Sequence, residues 1–391
     1  MRSLFSGLLP LFVLAHLSHH LVTALPVPLL PYIRDEFALD YTRAGFLISA
    51  FSVIYGVCQL PAGWLSDRLG PRVLLTIGIV GVGVTGLLAG MSPNYIVLVT
   101  ALVLMGILGG GYHPASTTMI SAAVAPRTRG QALGFHMVGG SFSYFLAPLI
   151  AAGIAAAWGW RGPFITLAIP SIGIGIMLHI MLGKRMPSQK AATGDTGVST
   201  EALPATGHRR RLITVVVLSS FTQALLMSIV SFVPLLLVDI YDTGKEMAAV
   251  SVSLVYGMGL WAGPFGGYLS DRFGRVAIIT IMCLTGSAAI YLFNVLPYGF
   301  GTAAILAIIG ITIYFNTTAA QAYIADQAAA RNRSTVLGFY FFGNMEGTGI
   351  LTPILGYLID HFGFHTSFTV SSVAIVITVI VCSAILRLSR R

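Results

Sequence analysis

The chain has 391 residues, of which 56% are hydrophobic and only 9% charged, with a net charge of +9. A soluble domain carries about a quarter of its residues as charge. This composition, with a mean hydropathy of +0.86, therefore excludes a soluble protein and requires most of the surface to face lipid. The basic balance does not point to nucleic acid, because Lys and Arg are spread through short loops instead of gathered on one element.

A spanning helix needs about 20 mostly apolar residues. Met1-Arg2 and the apolar run after it imitate a signal peptide, but the run continues past Pro10 to about Ile33 without a small-residue cleavage site, so it reads as a retained first span. In chain order the predicted spans are 4–33, 43–64, 73–91, 95–122, 131–157 and 163–183, then 212–238, 247–268, 276–296, 300–327, 335–359 and 366–388. Between the two sets lies Lys184 to Arg211, rich in Gly, Ser, Thr and Pro with basic ends, which reads as a flexible linker. The expected organisation is an all-α integral membrane protein of twelve transmembrane helices in two pseudo-symmetric six-helix bundles, 1–183 and 212–391, joined by a cytoplasmic linker over 184–211. Cys58, Cys283 and Cys382 all fall inside apolar stretches without paired or zinc-ligand spacing, and read as packed thiols.

Orientation follows from the basic residues. Of the 22 Lys and Arg, all but Arg34, Arg43, Arg161 and Lys245 lie in the termini, the linker, or the loops after the second, fourth, eighth and tenth spans. The positive-inside rule makes those loops, the linker and both termini cytoplasmic, in a multi-pass protein of the cytoplasmic (inner) membrane. Asp35, Glu36, Asp40, Asp239, Asp242, Glu246 and Asp360 fall on the opposite side.

An internal repeat runs through both halves. Gly63-Trp64-Leu65-Ser66-Asp67-Arg68-Leu69-Gly70 returns 204 residues later as Gly267-Tyr268-Leu269-Ser270-Asp271-Arg272-Phe273-Gly274. The same offset carries Arg129, Leu133, Gly134 and Phe135 onto Arg333, Leu337, Gly338 and Phe339, and Gly159 and Phe164 onto Gly363 and Phe368.

Twelve spans, a basic central linker and this loop after the second span of each half resemble the major facilitator superfamily over essentially the whole chain. The resemblance implies a cytoplasmic gate at Gly63, Asp67, Arg68, Gly70 and Arg72, and at Gly267, Asp271, Arg272, Gly274 and Arg275. Each aspartate would meet the positive N-terminal end of a helix in the other half, near Ser334 or Gly130. The alternative is that Asp-Arg only solvates a tight turn. Within the superfamily, His16, Gln59-Leu60-Pro61, Gly111-Tyr112-His113-Pro114 and the run Gly134 to Gly140 are similar to fosmidomycin-resistance-type exporters. Ala115 and Ala147-Pro148 depart from that pattern.

Ionisable groups inside hydrocarbon are costly, so those retained are candidates for function. Glu346 lies about 18 Å into the eleventh span, near mid-membrane, with Asn344 beside it; desolvation makes such a carboxyl protonatable, as a proton-coupled carrier requires. A purely structural hydrogen bond is the alternative. In the first span His16, His20 and Thr23 share one face, with His19 about 100° round. His113 and His136 lie on the fourth and fifth spans, where they meet each other or the solute. The resemblance places the first, fourth, seventh and tenth spans around a central cavity, which adds Tyr112, Gln223, Asn316 and Gln321.

No metal site is expected, since no tight His-and-acid spacing occurs, and no cofactor is called for. With no Arg or Lys at any span centre, the solute reads as neutral, weakly acidic or amphipathic, and a monoanion only if a histidine is protonated. The leading expectation is a monomeric, proton-coupled secondary transporter exporting a drug or metabolite by alternating access. Uptake of a small organic acid is the second reading and a non-transporting membrane receptor the third. No nucleophile elbow, phosphate-binding loop or metal-ligand motif points to an enzyme.

Overall fold

The computed structural model describes residues 8–124, 128–185, 208–327 and 333–388. Most of the expected linker, 186–207, lies outside the described residues. The described chain is helical almost throughout, in fourteen segments. The first span is broken in two, α1 (Leu9–Thr23) and α2 (Pro26–Phe37). Pro26 has no amide hydrogen and its ring crowds the preceding turn, so the helix restarts there.

The second and third spans are α3 (Tyr41–Leu69) and α4 (Pro71–Gly90). The fourth breaks at Gly110-Gly111 into α5 (Tyr95–Gly109) and α6 (Tyr112–Ala123). α7 (Arg129–Trp158) and α8 (Arg161–Arg185) complete the first six. α9 (His208–Asp239) opens the second six. It is followed by the broken eighth span, α10 (Lys245–Gly257) and α11 (Gly259–Phe273), then α12 (Arg275–Val295) and α13 (Phe300–Gln327). The eleventh and twelfth spans run together as α14 (Arg333–Leu388), interrupted at Gly363. The linker predicted to reach Arg211 ends sooner, since His208 to Arg211 are already helical.

Ten helices among the described residues are long and apolar enough to cross a membrane. The count reaches twelve crossings because α1 and α2 are individually short halves of one span, and α14 holds two. Large apolar side chains such as Val84, Leu104, Ile176, Leu284 and Ile380 stand exposed around the molecule, where a soluble protein would place charge.

The repeat is written into the backbone. Gly70 (φ 84°, ψ 142°) and Gly274 (φ 94°, ψ 134°) end the second span of each half alike. Gly159 (φ 66°, ψ 176°) and Gly363 (φ 74°, ψ 169°) match in the same way between the last two spans of each half. Phe164 and Phe368, their partners in the repeat, are both fully buried. A Cβ at any of the four glycines would meet open space, so the requirement is conformational, not steric. The halves join where α3 packs on α14 and α7 on α10.

Gly363→Ala places a side chain in backbone territory that only glycine occupies readily, at a cost of about 1–3 kcal/mol. The detergent-solubilised protein is expected to lose thermal stability accordingly. An unchanged unfolding midpoint would show that the turn relaxes without strain.

Candidate functional site

The break in the first span lets α1 lean into the first six helices, where it meets α6 and α7. His16 sits with its ring 4.8 Å from His20, 5.3 Å from His113 and 4.1 Å from His136, measured between centroids. His19 belongs to the same group, stacked on Tyr112 at 4.3 Å and meeting His20 at 4.8 Å. Expected about 100° away from the His16 face, it joins the cluster because α6 packs over that flank as well. Two phenols that the sequence did not single out complete the lining. Tyr55 lies against His19 and Tyr144 against His20. Their only signal was a phenol oxygen in the middle of an apolar span, which needs a partner inside the protein.

Backbone carbonyls fix the tautomers. His16 Nδ1 is 2.7 Å from the His136 carbonyl, His136 Nδ1 is 3.2 Å from that of Phe12, and His19 Nδ1 is 3.1 Å from that of Gly78. A carbonyl only accepts, so each Nδ1 donates and each Nε2 presents a lone pair. His19 Nε2 is met by the Tyr55 hydroxyl at 3.3 Å. Nε2 of His16 and of His136 are buried with no hydrogen-bond partner among the described residues, and so is the Tyr112 hydroxyl. His20 Nδ1 lies 3.1 Å from the hydroxyl of Thr23. His16, His20 and His113 each bring a ring nitrogen within 4.8 Å of the others. Chain spacing hid this grouping, because the three come from α1 and α6.

The second six helices treat their polar residues differently. Asn316 of α13 is buried and committed to α9, accepting from the Ser219 hydroxyl at 3.1 Å and donating to the Ser219 carbonyl at 3.2 Å. Its amide ties helices together. Gln223 of α9 is buried with Oε1 unpartnered among the described residues, as are Ser220 Oγ and Asn344 Oδ1. Gln321 is half-buried further along α13.

Glu346 lies in the seam between the halves. Its carboxyl faces α3, where a Cβ at Gly56 would come within 2.5 Å of Oε1. Oε1 has no hydrogen-bond partner among the described residues. Ser49 donates to the Gly349 carbonyl one turn further along the same seam. The absent side chain at Gly56 is what makes room for the acid between the two helices.

One end of the molecule is closed by a polar network that the sequence reading did not foresee. Arg34, at the end of α2, forms a two-pronged ion pair with Asp239 at the end of α9. Tyr41 donates its hydroxyl to Asp239 at 2.7 Å, Tyr32 donates to Glu246 at 2.6 Å, and Lys245 pairs with Asp35. Asp360 of α14 accepts from the backbone amides of Tyr41 and Thr42, both at 2.9 Å, and so caps α3 from the other half. Burial pushes the Asp35 carboxyl up, but hydrogen bonds from Lys245 and Arg34 outweigh it and hold the group below the usual carboxylate range. Arg161 does the same for Glu36, helped by Trp160 Nε1 at 2.7 Å.

At the opposite end the contacts of the repeated loops among the described residues fall within their own halves. Arg275 pairs with Asp271, accepts no competitor from the other half among the described residues, and reaches Asp326 at 3.1 Å. The ion pair of Asp271 is with Arg275 of its own loop, and the surroundings of its expected partner at the start of the fifth span, near Gly130, lie outside the described residues. Arg68 and Arg272 lie over the rings of Trp64 and Phe273. Arg72 packs on α8 at Gly183. The side chain of Asp67 and the surroundings of Gly63, Gly130 and Ser334 lie outside the described residues.

A family model described as Major Facilitator Superfamily matches residues 12–345 and 260–391. The chain is 26% identical over 360 residues to a probable sulfoacetate transporter of Cupriavidus necator, covering 86% of this chain and 83% of that protein. It is 25% identical over 358 residues to the hexuronate transporter of Bacillus subtilis, covering 85% and 83%. A probable L-galactonate transporter of Escherichia coli is 33% identical over 153 residues, which is 39% of this chain and 34% of that protein. Among solved structures, a bacterial homolog of the human lysosomal transporter Spinster, inward-facing and occupied, superposes with a TM-score of 0.79 at 16% identity, covering 100% of this chain and 96% of that one. A peptide transporter POT in complex with sulfate gives 0.79 at 13% identity, covering 98% and 94%.

Asp360→Ala leaves two amides of α3 without their acceptor and is expected to loosen the closed end. With the three native cysteines replaced by serine, Ser49→Cys should label several-fold faster in the Asp360→Ala background; equal rates would show that the cap does not hold this end shut. The depressed carboxylates also set a pH dependence. Their contribution to closure is present above the ordinary carboxylate range and is lost only as pH falls through the lowered values, so closure should persist through mildly acidic pH and fail in strong acid.

Proposed function

Since this chain belongs to the Major Facilitator Superfamily, and is a membrane transporter of a small organic solute and not an enzyme, we infer that it carries a small hydroxylated organic acid inward together with a proton. The observation that carries this reading is the pair of buried, donor-starved nitrogens, His16 Nε2 and His136 Nε2. A buried acceptor without a partner costs about 1–3 kcal/mol, and a solute hydroxyl returns that energy when it binds. Relatives named for hexuronate and galactonate, whose solutes are polyhydroxylated carboxylates, support the same class.

The solute sits between the imidazole cluster of the first bundle (1–183) and Gln223 and Asn344 of the second (212–391), with Gln321 lower on the same side. Since the spans hold no Lys or Arg at their centres, a carboxylate crosses with its charge offset by the accompanying proton. Glu346 carries that proton. It stands on a different span from the histidines and has different neighbours, so proton and solute can be bound together, which favours cotransport over exchange. Exchange would need them to compete for one site.

The Arg34 network closes the outer face, and the Gly63–Gly70 and Gly267–Gly274 loops form the gate on the cytoplasmic face. Both termini and the 184–211 linker lie on that side, as the basic loops indicate. Protonation of Glu346 weakens its demand for the polar seam at Gly56 and biases the rocking of one bundle against the other.

In liposomes, an acid-outside gradient should drive accumulation of galactonate or hexuronate. Glu346→Gln should abolish that accumulation while leaving solute exchange at equal pH on both sides; gradient-driven uptake by the variant would remove Glu346 from the coupling role, and gradient-driven expulsion by the wild type would restore the export reading. His16→Asn removes one acceptor for a solute hydroxyl, worth about 0.5–1.5 kcal/mol. Affinity for the hydroxy acid should fall about 2- to 12-fold, with little change for the corresponding deoxy acid; equal losses for both would count against direct hydroxyl recognition.

A further inference from the structure

We propose that His16 and His20 of α1 and His113 of α6 form a binding site for one late first-row divalent transition-metal ion. Imidazole nitrogen is a ligand suited to zinc, cobalt, nickel and copper, and no hard oxygen donor is needed. The three ring nitrogens already lie within 4.8 Å of one another. Drawing them onto a common ion at a metal–nitrogen distance of about 2.0–2.1 Å takes a shift of roughly 0.7 Å per ring.

The tautomer at His16 is the one a metal requires. Its Nδ1 donates to the His136 carbonyl at 2.7 Å, and its buried Nε2 has no partner among the described residues. A ligating histidine whose other nitrogen donates to a backbone carbonyl is the usual second-sphere arrangement, which fixes the ring and raises its basicity. His20 has Thr23 on its Nδ1 at 3.1 Å, leaving Nε2 for the ion. His16 and His20 are buried, whereas His113 is half-buried, so the ion enters past His113. Three imidazoles leave a fourth position for water or an anion, as in other three-histidine sites. His136, stacked on His16 at 4.1 Å, brings a second Nε2 without a partner among the described residues.

An ion on His16 Nε2 takes the lone pair that a solute hydroxyl would use, so ion and solute compete at that atom; the experiment separates the two assignments because it contains neither solute nor gradient. Full-length protein in detergent, stripped with chelator, is titrated with cobalt(II) and then with zinc(II). One equivalent of cobalt should produce the visible absorption of a four-coordinate nitrogen site, zinc should displace it, and zinc should raise the thermal midpoint. His16→Asn combined with His113→Asn should weaken binding by about 100-fold or more, whereas His361→Gln and His365→Gln, outside the cluster, should leave it unchanged. A cobalt spectrum indifferent to the double substitution, or absent from the wild type, overturns the site. Should the double variant misfold, zinc protection of His113 against carbethoxylation in the wild type, read by mass spectrometry, decides the same question; modification at an undiminished rate refutes the proposal.

Discussion

Hydrocarbon offers no hydrogen bonds, so every polar side chain within a span has to find its partner in the protein or be held open for something that arrives. Most of the hydroxyls solve this locally. Thr85, Thr100, Thr118, Ser228, Ser231 and Thr317 donate back to carbonyls four residues earlier on their own helices. Asn316 solves it with Ser219. Among the described residues some buried atoms stay without a partner after this pairing, Ser171, Thr312 and Arg72 among them; the proposed site draws on five others: lone pairs at His16 and His136, amide oxygens at Gln223 and Asn344, and one carboxyl oxygen at Glu346.

The two ends of the molecule are built on different principles. At the Arg34 end the halves are joined to each other through ion pairs and a borrowed helix cap, while at the other end the described ion pairs of Arg275 stay inside the second half.

Much of the fold was legible because its signals are local. Apolar runs set the spans, and Gly70 and Gly274 mark equivalent turns by a repeated octet. The cluster of histidines was legible only in part. Helical spacing put His16 and His20 on one face, but His19, Tyr55 and Tyr144 joined through packing between spans remote in sequence, and the metal-like grouping with His113 has no signature in chain spacing. The closed end was missed for a related reason: Arg34, Asp239 and Asp360 read as ordinary loop charges that report sidedness, and nothing in one sequence says that they face each other. Asn316 was placed at the cavity by the resemblance, and its amide is bonded to Ser219 of α9, a pairing that chain spacing does not announce.

Asp35 and Asp239 occupy the same position in the two repeats, 204 residues apart. Their counterions do not repeat: the position matching Arg34 is Val238, and the position matching Lys245 is Tyr41. Each bundle therefore holds its acid with a base drawn from a different position of the repeat in the other bundle. The rim is joined by two unequal ion pairs, Arg34–Asp239 and Lys245–Asp35, so the two-fold relation that the backbone keeps at the glycine turns is broken in the charges of this face.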